Sequence, residues 1–174
     1  MIYWIIKSIL SKNKTPDFSI DDTIISQHKV KISDLDIYWH VNNAIYLRKY
    51  EIARWNFGIK TGLTKQLLKH NIKFIVCAAE LVYLKELKWN QSFEIHTKQV
   101  GSDAKYFYWE QKIFSKGKLV NHGLFKVLFL GKKGIIATHD IYSILNIEPN
   151  KNELPLPILK WKELMLIKQN FNQM

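Results

Sequence analysis

The sequence predicts an α+β domain in which an antiparallel five-stranded sheet wraps one central helix, with short helical extensions at both ends. Two observations predict it. The chain reads as one strand, one long helix and then four strands in a meander, and strands joined by short turns pair antiparallel. The helix is apolar nearly all round: Tyr46, Tyr50, Ala53 and Phe57 form one stripe, while Ile45, Ile52 and Trp55 lie off it. Such a helix is buried on more than one side. One sheet covers only part of it, so the remaining apolar surface calls for a partner chain.

Three segments follow from the patterning: an amphipathic segment and linker over 1–22, the α+β domain over 23–137, and a helical extension over 138–174. In Met1 to Leu10, Ile2, Ile5, Ile6, Ile9 and Leu10 sit at helical spacing. The segment is too short to span a bilayer as a helix. It lacks a basic region before its apolar run, so it does not read as a signal peptide. A helix docked on protein and an interfacial helix giving peripheral membrane contact through residues 1–10 both fit. Ser11 to Asp22 is a polar linker.

Thr23 to Ile32 reads as a strand with His28, Val30 and Ile32 on one face. Asn42 or Asn43 caps the long helix, since a short amide side chain accepts from its first free N–H groups. Gly58 and Gly62 are placed to end it. Leu63 to His70 is a second short helix. Asn71 to Leu84 is apolar on both faces in its first half, as a central strand would be. Ser92 to Val100 alternates Phe93, Ile95 and Thr97 against Glu94, His96 and Lys98, and Gly101 to Asp103 is a turn. Lys105 to Phe114 and Leu119 to Leu130 flank a hairpin turn at Ser115 to Lys118. Asp140 is placed to cap a helix running to Ile147. Pro155 and Pro157 precede a last amphipathic helix, Ile158 to Phe171.

With 174 residues, 47% of them hydrophobic, the chain has the means to bury a core and does not read as disordered. The single cysteine, Cys77, excludes an intramolecular disulfide and fits a reducing, cytoplasmic compartment. Its apolar surroundings predict a buried thiol. The net charge of +11 suits an anionic partner, but it is nearly all lysine. The only arginines, Arg48 and Arg54, lie in the central helix, which argues against nucleic acid; a plain solvated lysine surface and attraction of a phosphorylated small ligand both fit.

No G-x-S-x-G, G-x-G-x-x-G or G-x-x-x-x-G-K motif occurs, and the histidines show no metal-ligand spacing. No metal or redox cofactor is expected. The chemistry concentrates between Asp34 and Asn43, where Asp34, Asp36, His40, Asn42 and Asn43 precede a helix N-terminus with its free N–H groups and positive potential. A turn or capping role is the competing reading, strongest for Asp34. Glu51 and Arg54, three apart, can pair on one helix face, and Arg54 can also reach Glu80.

The run L-D-I-Y-W-H-V-N-N-A-I-Y-L, then E-I-A-R-W, then N-I-K-F-I-V-C-A-A-E-L-V-Y-L resembles the acyl-CoA thioesterases of the hot-dog fold. It is most similar to the long-chain acyl-CoA thioesterase III type and the thioesterase superfamily member 6 group, over roughly Ile25 to Leu130. The resemblance implies a homodimer or a dimer of dimers, with coenzyme A entering only as part of the substrate. It implies that Asp36 attacks the thioester or activates water, a task suited to a carboxylate because the thiolate leaves without much protonation. It places the Asn43 N–H against the thioester oxygen, with His40 orienting Asp36 or bonding the thioester. Asn42 would help hold substrate, and Tyr46, Tyr50, Phe74 and Val76 would line the acyl tail. Relatives often carry a glycine before the helix; here Tyr38 and Trp39 occupy that region. Two rivals stand. A hot-dog enoyl hydratase would show G-D-x-N-P-x-H, which is missing, and Asp36 to His40 is one residue too short for it. A non-catalytic acyl-binding or membrane-associated protein is the other.

Overall fold

Because α1 (Asn43–Lys60) is apolar on several faces, the rest of the chain curls round it. The computed structural model describes residues 18–149 and 153–170, so the readings of Met1 to Leu10 and of Phe171 lie outside it. β1 (Ile24–Lys29) leads into a 3₁₀ turn, Ile32–Asp34, and then α1. α2 (Leu63–Lys69) follows, entered through Gly62 at φ 74°, a left-handed conformation that glycine adopts without strain. β2 (Lys73–Tyr83), β3 (Ser92–Ser102), β4 (Phe107–Ser115), β5 (Lys118–Gly131) and the short β6 (Gly134–Ile136) complete one antiparallel sheet. Its order is β1-β3-β4-β5-β2, with β6 added beside β5.

Tyr46, Tyr50, Ala53 and Phe57 are all buried, at 3% exposure or less. Phe57 packs edge-on to Trp109 of β4 at 4.7 Å, and Tyr50 edge-on to Phe125 of β5 at 5.4 Å. Each such side chain stabilises the fold by about 1.5–3 kcal/mol through area removed from water. Two buried amides fix the helix against the sheet. The Tyr50 hydroxyl donates to Asn121 Oδ1 at 2.6 Å, and Gln111 Nε2 donates to the Tyr50 carbonyl at 3.1 Å.

Several boundaries differ from the sequence reading, each for a local reason. β1 stops at Lys29; Val30 stays buried, but Ile32 turns outward in the 3₁₀ turn at 67% exposure. β2 is an edge strand of this chain, not a central one. Its continuous apolar run is covered on one side by β5, and Ile75, Val76, Val82 and Tyr83 remain more than a third exposed. Cys77 is exposed rather than buried, because it falls at a bulge: Val76 pairs with Val127 and Ala78 with Lys126. β3 continues through Gly101 and Ser102 past a second bulge.

α3 (Thr138–Leu145) starts before Asp140, which lies in its first turn rather than capping it. It ends at Asn146 in the left-handed region, and Ile141 and Tyr142 join the main core. α4 (Leu156–Asn170) takes Pro157 into its first turn, where a missing N–H breaks no helical bond. It packs Ile158 and Trp161 on the opposite face of the sheet, against Tyr108 and Leu124.

Asp103 clamps that second layer. Its carboxylate accepts from the Tyr108 hydroxyl and Lys162 Nζ, both at 2.7 Å, and from the N–H groups of Lys105 and Tyr106. Partial burial alone would raise this carboxyl, but the ammonium and three further donors outweigh it and hold it at about 2. A depressed carboxyl adds stability above its unfolded pKa and loses it as pH falls through the folded value. The advantage of the native protein over Asp103→Asn, read from thermal melts, therefore shrinks between about pH 4 and pH 2. A gap that stays constant across that window removes Asp103 as the clamp.

Candidate active site

The stretch from Asp34 to Asn43 folds as a tight hairpin against the start of α1. Leu35 bridges Val41, the Asp36 N–H donates to the His40 carbonyl at 3.0 Å, and the Asn42 N–H donates to the Asp34 carbonyl at 3.0 Å. Trp39 turns the tip with φ 61°, left-handed without being glycine. Residues Ile37, Tyr38 and Trp39 point outward, all exposed.

The two aspartates have separate roles in this hairpin. Asp34 is buried, at 6% exposure, and its Oδ2 accepts from the Lys31 N–H at 3.0 Å and from Lys49 Nζ at 2.7 Å. Burial works to raise its carboxyl, yet the Lys49 ammonium and the backbone bond hold it below the usual carboxylate range. It pins the loop to α1. Asp36 is more open, with its side chain 21% exposed. Its Oδ1 accepts the Tyr38 N–H at 2.9 Å, while Oδ2 lies 3.2 Å from His40 Nδ1. The Tyr38 ring stacks on His40 at 5.9 Å and fixes the imidazole plane.

Asn42 is the N-cap of α1; its Oδ1 accepts the Ala44 N–H at 2.9 Å. The Asn43 N–H, one residue earlier, has no acceptor among the described residues. A helix start with a free N–H and partial positive charge suits a developing oxyanion. Tyr83 of β2 donates to the Asn43 carbonyl at 3.1 Å and so fixes this turn from the sheet side.

The structure therefore brings Asp36, His40, Asn42 and Asn43 together, and it separates the expected acyl-lining residues. Tyr46 and Tyr50 belong to the core, where burial pushes the Tyr46 hydroxyl up to about 12 and raises that of Tyr50 as well. Phe74 and Val76 line a cavity of about 320 Å³, together with Trp55, Gly58, Leu63 and Leu67. Gly58 lets α2 pack close against α1, because a Cβ there would collide with Thr64 Oγ1. Arg54 and Glu51 also line the cavity. They form no ion pair; Arg54 donates instead to Gln111 Oε1 at 2.7 Å and lies over Phe125. The cavity holds no residue of the hairpin, and at 1.5 Å per residue Arg54 lies about 17 Å along α1 from Asn43.

Gln111 and Asn121 escape sequence reasoning. Both are fully buried, and they tie Arg54 and Tyr50 in place. The available signal is an amide inside each of two aromatic strands, where water cannot satisfy it. Among the described residues no group of three His, Cys, Asp or Glu could hold a metal. No described helix is long and apolar enough to cross a membrane.

Residues 30–161 match the thioesterase-like superfamily. Protein THEM6 of Danio rerio is 32% identical over 108 residues, covering 62% of this chain and 52% of that protein. The long-chain acyl-CoA thioesterase FadM of Escherichia coli is 40% identical over 58 residues, covering 33% of this chain and 44% of that protein. The chain thus spans about half the length of these curated relatives. The crystal structure of YbaW, a probable thioesterase from Escherichia coli, superposes with a TM-score of 0.66 at 26% identity, covering 70% of this chain and 96% of that one. The protein SAV2348 of Staphylococcus aureus, solved in complex with CoA, shares the fold with a TM-score of 0.64 at 15% identity, covering 82% of this chain and 95% of that one.

The Asp34–Lys49 pair generates its own test. Asp34→Asn leaves the Lys49 ammonium with no anionic partner in a nearly dry site, at a cost of about 2 kcal/mol. Adding Lys49→Met removes the stranded charge and recovers part of the loss. Chemical denaturation of the three variants checks this, and a double variant no more stable than Asp34→Asn rejects it.

Proposed function

The chain belongs to the thioesterase-like superfamily and has its hot-dog fold, and on that premise we propose that it hydrolyses a medium- or long-chain acyl-CoA thioester to a free fatty acid and CoA. The observation that carries this reading is the hairpin itself. A solvent-reachable carboxylate, Asp36, sits beside His40 and a few residues before a free helix N–H at Asn43. The thioester oxygen is held at that N–H. Asp36 attacks the carbonyl carbon to form an acyl-aspartyl anhydride that water then hydrolyses to release the acid, or it takes a proton from a water that attacks the carbonyl directly. The helix start stabilises the oxyanion, and the thiolate departs as the carbonyl re-forms. His40 orients Asp36 through its Nδ1, which lies 3.2 Å from Oδ2. Coenzyme A's phosphates meet surface lysines of a strongly basic chain.

The same reading includes a dimer. β2 presents an eleven-residue edge with exposed Ile75, Val76, Val82 and Tyr83. A second copy adding its own β2 antiparallel would cover that apolar edge and pair its free backbone groups. Sedimentation at micromolar concentration is expected to show a dimer or a dimer of dimers; a stable, active monomer refutes this.

Thiol release from acyl-CoAs separates the hydrolase from a non-catalytic acyl binder in one assay, and release without water addition to an enoyl-CoA separates it from a hydratase. Within it, Asp36→Asn keeps the acceptor for the Tyr38 N–H and removes the charge. We expect kcat to fall by about 10² or more with KM little changed. Thermal stability stays level or rises, since a charge held for chemistry costs stability. Asp34→Asn is the matched control and loses less activity. Near-full turnover by Asp36→Asn, or a worse result from Asp34→Asn, sinks the assignment.

A further inference from the structure

The cavity beside the second half of α1 is lined by no residue of the Asp36 hairpin. Most of its lining is apolar: Leu63, Leu67, Phe74 and Val76 among others. Arg54 is the exception. No carboxylate lies within ion-pair distance of it among the described residues. One of its N–H groups is fixed on Gln111 Oε1 at 2.7 Å, and its guanidinium carbon lies 4.3 Å from the centre of the Phe125 ring. Gln111 is itself anchored, through Nε2, to Thr97 Oγ1 and the Tyr50 carbonyl. The guanidinium is thus oriented while most of its donors are uncommitted. Burial pushes it down to about 10, which still leaves it a cation at neutral pH. Trp109 forms part of the same wall, at 1% exposure; its indole N–H is closed off from the cavity space and has no acceptor among the described residues.

Arg54 is therefore an oriented cation on the wall of an otherwise apolar space. The 320 Å³ volume suits about ten non-hydrogen atoms, taking roughly 30 Å³ each. Glu51 is the one acidic group on the lining, and it is solvent-exposed at the rim, where water screens it. We propose that this cavity is a binding site for a medium-chain carboxylate, with the carboxylate on Arg54 and the chain against Leu67, Phe74 and Val76. The site is separate from the Asp36 hairpin. Its ligand belongs to the chemical class that the proposed hydrolysis releases, and only that link rests on the thioesterase reading.

The test needs no turnover, so its failure is distinct from a failure of the hydrolase. The chain has six tryptophans, and the Trp109 indole signal in a ¹⁵N spectrum of the full chain is identified by its loss in W109F. Octanoate, with ten non-hydrogen atoms, is titrated against octylammonium, whose apolar chain is one methylene longer and whose charge is opposite. Octanoate is expected to move the Trp109 indole signal and octylammonium to leave it in place. R54M weakens octanoate binding at least tenfold, and E51Q, at an exposed position, strengthens it. A Trp109 signal indifferent to octanoate, an equal response to octylammonium, or R54M binding as tightly as the native chain overturns the proposal. Should R54M fold poorly, the sign of the E51Q effect decides: unchanged or weaker octanoate binding counts against it.

Discussion

The fold depends on burying a helix that is apolar on more than one face. α1 cannot satisfy Tyr46, Tyr50, Ala53 and Phe57 in water, and every strand from β3 to β5 contributes to covering them. Burial brings a second requirement. The sheet has to meet the polar tips of the residues it covers, and Asn121 and Gln111 do so for Tyr50 and Arg54. Hydrophobic burial sets where α1 lies, and these amides set how it is rotated and how far it slides. Those coordinates in turn place the first free N–H of the helix beside the hairpin and place Arg54 on the cavity wall.

Rigid support surrounds the hairpin and stops short of its central carboxylate. Asp34 is locked to Lys49 of α1, Asn42 caps the helix, and Tyr83 holds the Asn43 carbonyl from the sheet. Each contact anchors one side of the loop to an element fixed by the core. A reactive group positioned by a packed scaffold keeps its geometry without being enclosed itself. The exposed Ile37, Tyr38 and Trp39 form the part of the hairpin that no described element covers.

The sequence made some of this legible and hid the rest for physical reasons. The α1 stripe was readable because four large positions repeat at helical spacing within one segment. The hairpin was readable as a site because polar groups crowd a helix start. From sequence alone β2 has the pattern of a central strand, because a continuous apolar run looks the same whether both neighbours belong to one chain or one neighbour is missing. The bulge that turns Cys77 outward leaves no mark in composition. The resemblance sets Tyr46 and Tyr50 along an acyl path; in the fold both are core residues, with the Tyr46 ring on Tyr83 and the Tyr50 hydroxyl on Asn121. The Tyr50–Asn121 and Arg54–Gln111 bonds span 71 and 57 residues. No local pattern could announce them.

Four carboxylates differ in how far protein donors fill them. Asp103 accepts from four donors, Asp34 from a lysine and a backbone N–H, and Glu110 contacts both His122 and Lys112. All three are held below the ordinary carboxylate range, Glu110 at about 2 through the His122 bond first, so none is suited to take a proton near neutrality. Asp36 accepts one backbone N–H and faces one imidazole. A carboxylate offers about four lone-pair sites, so Asp36 keeps room for a water or a thioester carbon that the others have filled with protein donors. Asp34 and Asp36 are two residues apart in one loop; the contrast between them comes from Lys49, which reaches the first and not the second.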